Sequence, residues 1–207
     1  MRCLVICALV LASAASLQAQ STDGTATFQF SLLSPAGQYA PEHVTAVWVT
    51  DSAGHFIETL MLQAKWYTGS PPNGRSRWLY TWNTARGSTD NSSRTGDTYV
   101  DGVTSATAST YTNPLSVTWD CRDKNNNLLP DGTYHFRVEF TEAHAQGPVA
   151  IVPFVKDSTP DVYRPANLPY FTGMEVSYVP EPVAISVLIL AAGGLLARRR
   201  AARRQAL

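Results

Sequence analysis

The sequence predicts a mostly β protein, an antiparallel sandwich of short strands bracketed by apolar segments at the two chain ends. Three observations carry this. Apolar and polar residues alternate over several stretches of five to ten residues, the period of a strand with one buried face. Gly, Pro, Asn and Asp gather between those stretches, where turns need them. No long stretch has the 3.6-residue period of a helix. Charged residues make up only 15% of the 207, against about 25% in an average soluble domain. Many short strands with such turns point to an immunoglobulin-like sandwich over residues 21–178, long enough for one buried core.

The elements follow in order. MRCLVICALVLASAASLQAQ opens with Arg2, an apolar run from Leu4 to Leu11 and small residues from Ser13 to Ala19. This is the layout of a secretory signal helix, 1–19, cut after Ala19 or Ala15. Cys3 and Cys7 leave with it. Cys121 is then the one remaining thiol, and the inter-sheet disulfide of antibody domains cannot form. Thr25 to Leu32 is the first strand, with Phe28, Phe30 and Leu32 on one face. Thr45 to Thr50 and Phe56 to Leu62 form a hairpin around the turn Asp51-Ser-Ala-Gly54. Trp78 to Asn83 reads as one helical turn or a strand. Thr84 to Asn113 is a polar stretch expected as a surface loop. Leu115 to Trp119 and Thr133 to Glu142 are expected to pair as a second hairpin. Val149 to Phe154 and Met174 to Tyr178 supply two more strands.

The C-terminus reads VPEPVAISVLILAAGGLLARRRAARRQAL. Val183 to Ala197 carries no charge, and Arg198, Arg199, Arg200, Arg203 and Arg204 follow at once. As a helix this segment spans about 22 Å at ~1.5 Å per residue. That is short of the ~30 Å hydrocarbon core, but bilayer thinning and snorkelling accommodate it. The arginines hold the tail in the cytoplasm, so the body lies outside the inner membrane. Both ends removed, 10 basic and 15 acidic residues remain, a body charge of about −5 in a chain whose total is zero. An acidic body excludes nucleic acid as the expected partner.

Pro180, Glu181 and Pro182, then an apolar helix, then an arginine cluster resemble the PEP-CTERM sorting signal over residues 179–207. The resemblance implies an exosortase that cuts near Pro-Glu-Pro and passes the protein to the surface or matrix. A second resemblance covers most of the body. W-D-C-R-D-K-N-N-N-L-L-P-D-G-T-Y (Trp119 to Tyr134) is similar to a turn shared by flagellar-hook-capping domains and by a family of predicted periplasmic proteins, domain of unknown function 2271. T-A-V-W-V-T-D-S-A-G-H-F-I-E-T-L (Thr45 to Leu60) resembles that family's opening hairpin. Cys121 and Asn126 stand where the turn carries glycine.

Candidate chemistry is sparse. D-G-V-T-S-A-T (Asp101 to Thr107) resembles the motif in which a flavinyltransferase esterifies FMN onto a threonine. That resemblance implies Thr107 as acceptor and Asp101 as the acidic position, although Ser105 replaces a glycine. Asp123, Asn125 and Asn127 imitate the start of a calcium loop, but Leu128 and Tyr134 occupy its glycine and glutamate positions, and Asx residues also serve turns. His43, His55, His135 and His144 are scattered without metal spacing and read as structural or surface residues. Trp48, Trp66, Trp78, Trp82 and Trp119 read as core, with a carbohydrate-binding face as the alternative. No nucleophile motif is present. The expectation is an exported, surface-sorted structural or interaction protein, without an enzyme's machinery or a resident cofactor. Its partners are the secretion machinery, an exosortase and the membrane, with exopolysaccharide as a further candidate. The competing reading is a periplasmic redox accessory carrying covalent FMN.

Overall fold

A computed structural model describes residues 20–64, 78–87, 103–105 and 107–182. The signal segment, the apolar C-terminal segment with its arginines, Trp66 and Asp101 lie outside these residues. Among the described residues, no helix is long and apolar enough to cross a membrane.

Nine strands and one short helix follow in chain order. They are β1 (Gly24–Leu32), β2 (Val44–Asp51), β3 (Phe56–Gln63), α1 (Tyr80–Ala85), β4 (Val103–Ser105), β5 (Leu115–Trp119), β6 (Gly132–Thr141), β7 (Val149–Lys156), β8 (Asp161–Tyr163) and β9 (Phe171–Pro180). They build a four-stranded sheet in the order β5-β1-β9-β8 and a five-stranded sheet in the order β4-β3-β2-β6-β7. The inner faces meet in one core, where Phe28 stacks on Phe136 at 5.2 Å and Phe140 meets Phe171 edge-on at 5.4 Å. Alternation places these residues: Ala26, Phe28, Phe30 and Leu32 of β1 are buried while their neighbours are less so.

The second sheet has a second layer. Seven residues of β2 are buried, because both its faces are covered. Val47 and Val49 enter the main core, and Ala46 and Trp48 pack with Leu79 and Trp82 beneath α1. The stretch at Trp78 to Asn83 is therefore resolved as helical, and a strand there is excluded. Leu79 gives α1 no side-chain cap. Glu139 of β6 supplies it instead, accepting from the Thr81 and Trp82 amides at 3.2 and 2.9 Å.

Three sequence expectations are corrected. Strands β5 and β6 do not form a hairpin: β5 pairs with β1, and β6 pairs with β2 and β7. The connection between them closes on itself through an Arg122–Leu128 bridge and crosses from one sheet to the other. Trp119 and Tyr134 thus face each other across the core, at 5.1 Å, instead of along a ladder. The pairing is not wholly antiparallel either, since β4 runs parallel to β3. Lastly, the polar stretch 84–113 is not all loop: it contributes the end of α1 and the edge strand β4.

Candidate functional site

The antiparallel register of β1 and β9 gives the molecule two ends. Gly24 pairs with Pro180 at one, and Leu32 pairs with Phe171 at the other. Polar and aromatic side chains collect at the second, distal end.

Glu142, the residue after β6, organises that end. Its carboxylate accepts from Ser34 Oγ at 2.8 and 2.9 Å, from the Gly37 amide at 2.8 Å and from Tyr111 Oη at 2.6 Å. Its backbone carbonyl accepts from the Tyr39 amide at 2.8 Å. Burial alone would raise the Glu142 carboxyl. The hydrogen bonds from Tyr111, Gly37 and Ser34 outweigh burial and hold the group below the usual carboxylate range. Burial and the Glu142 charge push the Tyr111 hydroxyl upward, so it stays a donor. One side chain thereby ties the loop after β1 and the segment before β5 to the end of β6.

His43 stacks on Tyr111 at 4.2 Å and bridges to Ala108 through its backbone. Its Nδ1 lies 3.1 Å from the Pro41 carbonyl. A carbonyl only accepts, so Nδ1 carries the proton and Nε2 is left as an acceptor. Burial lowers the His43 pKa despite Pro41 and Glu142, which keeps the ring neutral. Next to it lies a small, partly open cleft walled by His43, Tyr39, Trp78, Glu42 and His144. Nothing in the sequence marked Glu142 or Tyr111 as belonging to a site, and His43 had no motif around it.

The opposite end holds both termini of the fold. Asp131 accepts from the Thr22 amide and hydroxyl at 2.7 Å each and pairs with Lys156 Nζ at 2.7 Å. Lys156 is 0% exposed. The Glu181 amide donates to the Asp23 carbonyl at 2.8 Å, and Asp23 pairs with Arg122. Glu181 and Pro182 are exposed, and Val179 is 59% exposed. Of the residues expected to form a sorting signal, Pro180, Glu181 and Pro182 are thus described at the surface, where the chain leaves β9.

The remaining sequence candidates separate. Thr107 is half-buried, one residue before the Ala108–His43 bridge, and makes contacts of its own. Asp123 is committed to its turn: its carboxylate accepts from the Asn125 and Asn127 amides at 2.9 and 2.8 Å and from Asn127 Nδ2 at 3.0 Å. Those bonds hold its pKa low. No group of three or more metal-ligating residues is found among the described residues. Trp48, Trp82 and Trp119 are core residues, whereas Trp78 is half-exposed at the cleft.

A family model described as "Predicted periplasmic protein (DUF2271)" matches residues 27–161. The chain belongs to this family. No curated protein and no solved structure matches it. The DUF2271 match takes in most of β1, all of β2 to β7, the distal cleft and Lys156, and ends at the start of β8. Within the DUF2271 region, the two turn positions where glycine was expected both hold left-handed backbone, Cys121 at φ 62° and Asn126 at φ 64°. Asn adopts that region readily, and the Cys121 side chain is fully buried in the core in return.

Proposed function

We propose that this DUF2271 protein is an exported, surface-sorted interaction module on an immunoglobulin-like scaffold, without catalysis of its own. A C-terminal helix holds it until an exosortase cuts near Pro-Glu-Pro. One observation supports this reading above the others. Pro180 to Pro182 emerge from the end of β9 at the surface, while the polar and aromatic cleft sits at the opposite end of the sandwich, against the other sheet. A processing enzyme at the membrane would reach the signal without unfolding the body, and the cleft would point away from the bilayer. The acidic body and the family's periplasmic description accord with export.

Intact mass of the protein recovered from the cell surface tests the reading. The expected mass lacks the signal peptide and the segment beyond Pro-Glu-Pro. Replacing Pro180, Glu181 and Pro182 by alanine should leave the tail attached and the protein in the inner membrane. A surface protein still carrying Val183 to Leu207 would rule out processing.

A further inference from the structure

Along one side of the sandwich the two sheets do not end together. β9 is the strand of the first sheet that packs against β7, and β8 lies one strand further out. No strand of the second sheet therefore stands across from β8. The exposures agree. Asp161 and Tyr163 pair in register with Tyr178 and Val176, which are each 1% exposed, and directly opposed residues share a face of the sheet. Asp161 and Tyr163 thus lie on the core side, yet both are exposed. Beside this overhang runs the free edge of β7, the last strand of its own sheet.

One bond fixes the phase of that edge. The Phe140 amide donates to the Pro148 carbonyl at 3.3 Å, in the register that continues without a shift to Gly132 and Lys156. Hydrogen-bonded and non-bonded pairs alternate along an antiparallel ladder, so the even-numbered residues of β7 bond to β6. Val149, Ile151, Pro153 and Val155 turn their main-chain groups to the free edge instead. Their side chains line the outer face, where Ile151 and Val155 are 46% and 44% exposed. Pro153 stands where its missing amide costs the ladder nothing, and the edge keeps three donors. Asp161 completes the notch, because its carboxylate has no hydrogen-bond or ion-pair partner among the described residues.

We infer that this notch takes one extended strand of a partner protein, added antiparallel to β7 as a sixth strand of the second sheet. Main-chain bonds to the free edge supply the attachment, and side chains at alternate positions supply the choice of partner. β8 runs opposite to β9, so a strand antiparallel to β7 meets Asp161 first and Tyr163 two residues later. Charge complementarity then asks for Lys or Arg facing Asp161, followed two positions on by an apolar side chain against Tyr163. The overhang selects a lone strand over a second copy of this chain. A copy seating its own β7 here would drive its β9 into the space that β8 fills. Pro153 and the overhang together guard the edge against such pairing. The inference rests on the interaction-module reading and names its partner class.

Fluorescence anisotropy of the labelled peptide Ser-Lys-Thr-Val-Thr-Val-Ser against the full chain in mild detergent tests it. Saturable binding below about 1 mM is expected, and Glu in place of the peptide's Lys should abolish it. Ile151→Pro removes an edge donor and nothing from the β6–β7 ladder, and should weaken binding about fivefold. Pro153→Val adds a donor and should strengthen binding by a similar factor. Asp161→Asn should erase the preference for Lys over Glu. All three positions face solvent, so matching melting curves should show an unchanged fold. No saturable binding, or equal affinity in Ile151→Pro and Pro153→Val, would overturn the inference. So would a dimer that Ile151→Pro dissolves, which assigns the edge to a second copy. Binding confined to the processed surface form would overturn it too, by assigning the edge to residues 183–207. Retention of the tail on the surface protein would sink the sorting reading alone, since the peptide assay uses the uncut chain.

Discussion

At the scale of single residues, the turn positions Cys121 and Asn126 and the thiol itself are the informative ones. Cys121 is the one cysteine among the described residues, and it is fully buried. Burial pushes its thiol up to about 12, with Lys156 opposing and Asp120 and Asp23 adding to the shift. The thiolate is the reactive form, so native protein should resist iodoacetamide at pH 8 and react stoichiometrically once unfolded in guanidinium. Rapid labelling of the native state, followed by mass spectrometry, would contradict this burial. The sequence disclosed the isolated cysteine but not its protection, because protection comes from strands distant along the chain. Glu142 illustrates the same limit. Its partners Ser34 and Gly37 lie more than a hundred residues away, and no local pattern signals such a meeting.

Among the elements, alternation located nearly every strand but could not name partners. A period of two says which face is buried and nothing about the neighbouring strand. The segments β5 and β6 therefore looked like a hairpin and instead lie in separate sheets. The three-residue β8, exposed at every position, had no buried apolar face to betray it. The ties between elements carry a pH signature. Glu142 has a lowered folded pKa, so its stabilisation is complete above the unfolded carboxyl range and is lost as pH falls through the folded value. Glu139 runs the other way. Burial raises its pKa, more than the amides of Trp82 and Thr81 lower it, so its contribution is complete at low pH and declines as pH rises through the folded value. Glu142→Gln should lower stability at pH 7 by about 1.5–3 kcal/mol, the range for hydrogen bonds to a charged group. The gap from wild type should narrow at acid pH, as the wild-type carboxylate protonates below the usual glutamate range. Urea denaturation at both pH values checks it.

For the whole molecule, the two-sheet architecture was legible from composition and patterning, as was the contrast between an acidic body and a basic tail. The grip on the N-terminal segment was not. Asp131 binds Thr22 and the buried Lys156 together, and Lys156 looks in sequence like any strand-end lysine. Asp131→Ala strands that ammonium without its carboxylate. The expected cost is about 3–5 kcal/mol, the usual consequence of breaking a buried pair from one side. The double change Asp131→Ala with Lys156→Met should recover part of it, because no uncompensated charge then remains. A fall in the urea midpoint at constant slope reports the effect on stability.

The pairing of Gly24 with Pro180 and of Leu32 with Phe171 also has a mechanical meaning. A molecule tethered through Pro182 and gripped at its distal cleft is loaded along the length of β9, about 30 Å at ~3.3 Å per residue. Such a pull shears the β1–β9 ladder, straining its hydrogen bonds together. A pull applied between the two chain ends would open the same ladder like a zip, one bond at a time. On the proposed tethering, the opposed placement of anchor and cleft would put tension on the strand in its tougher direction.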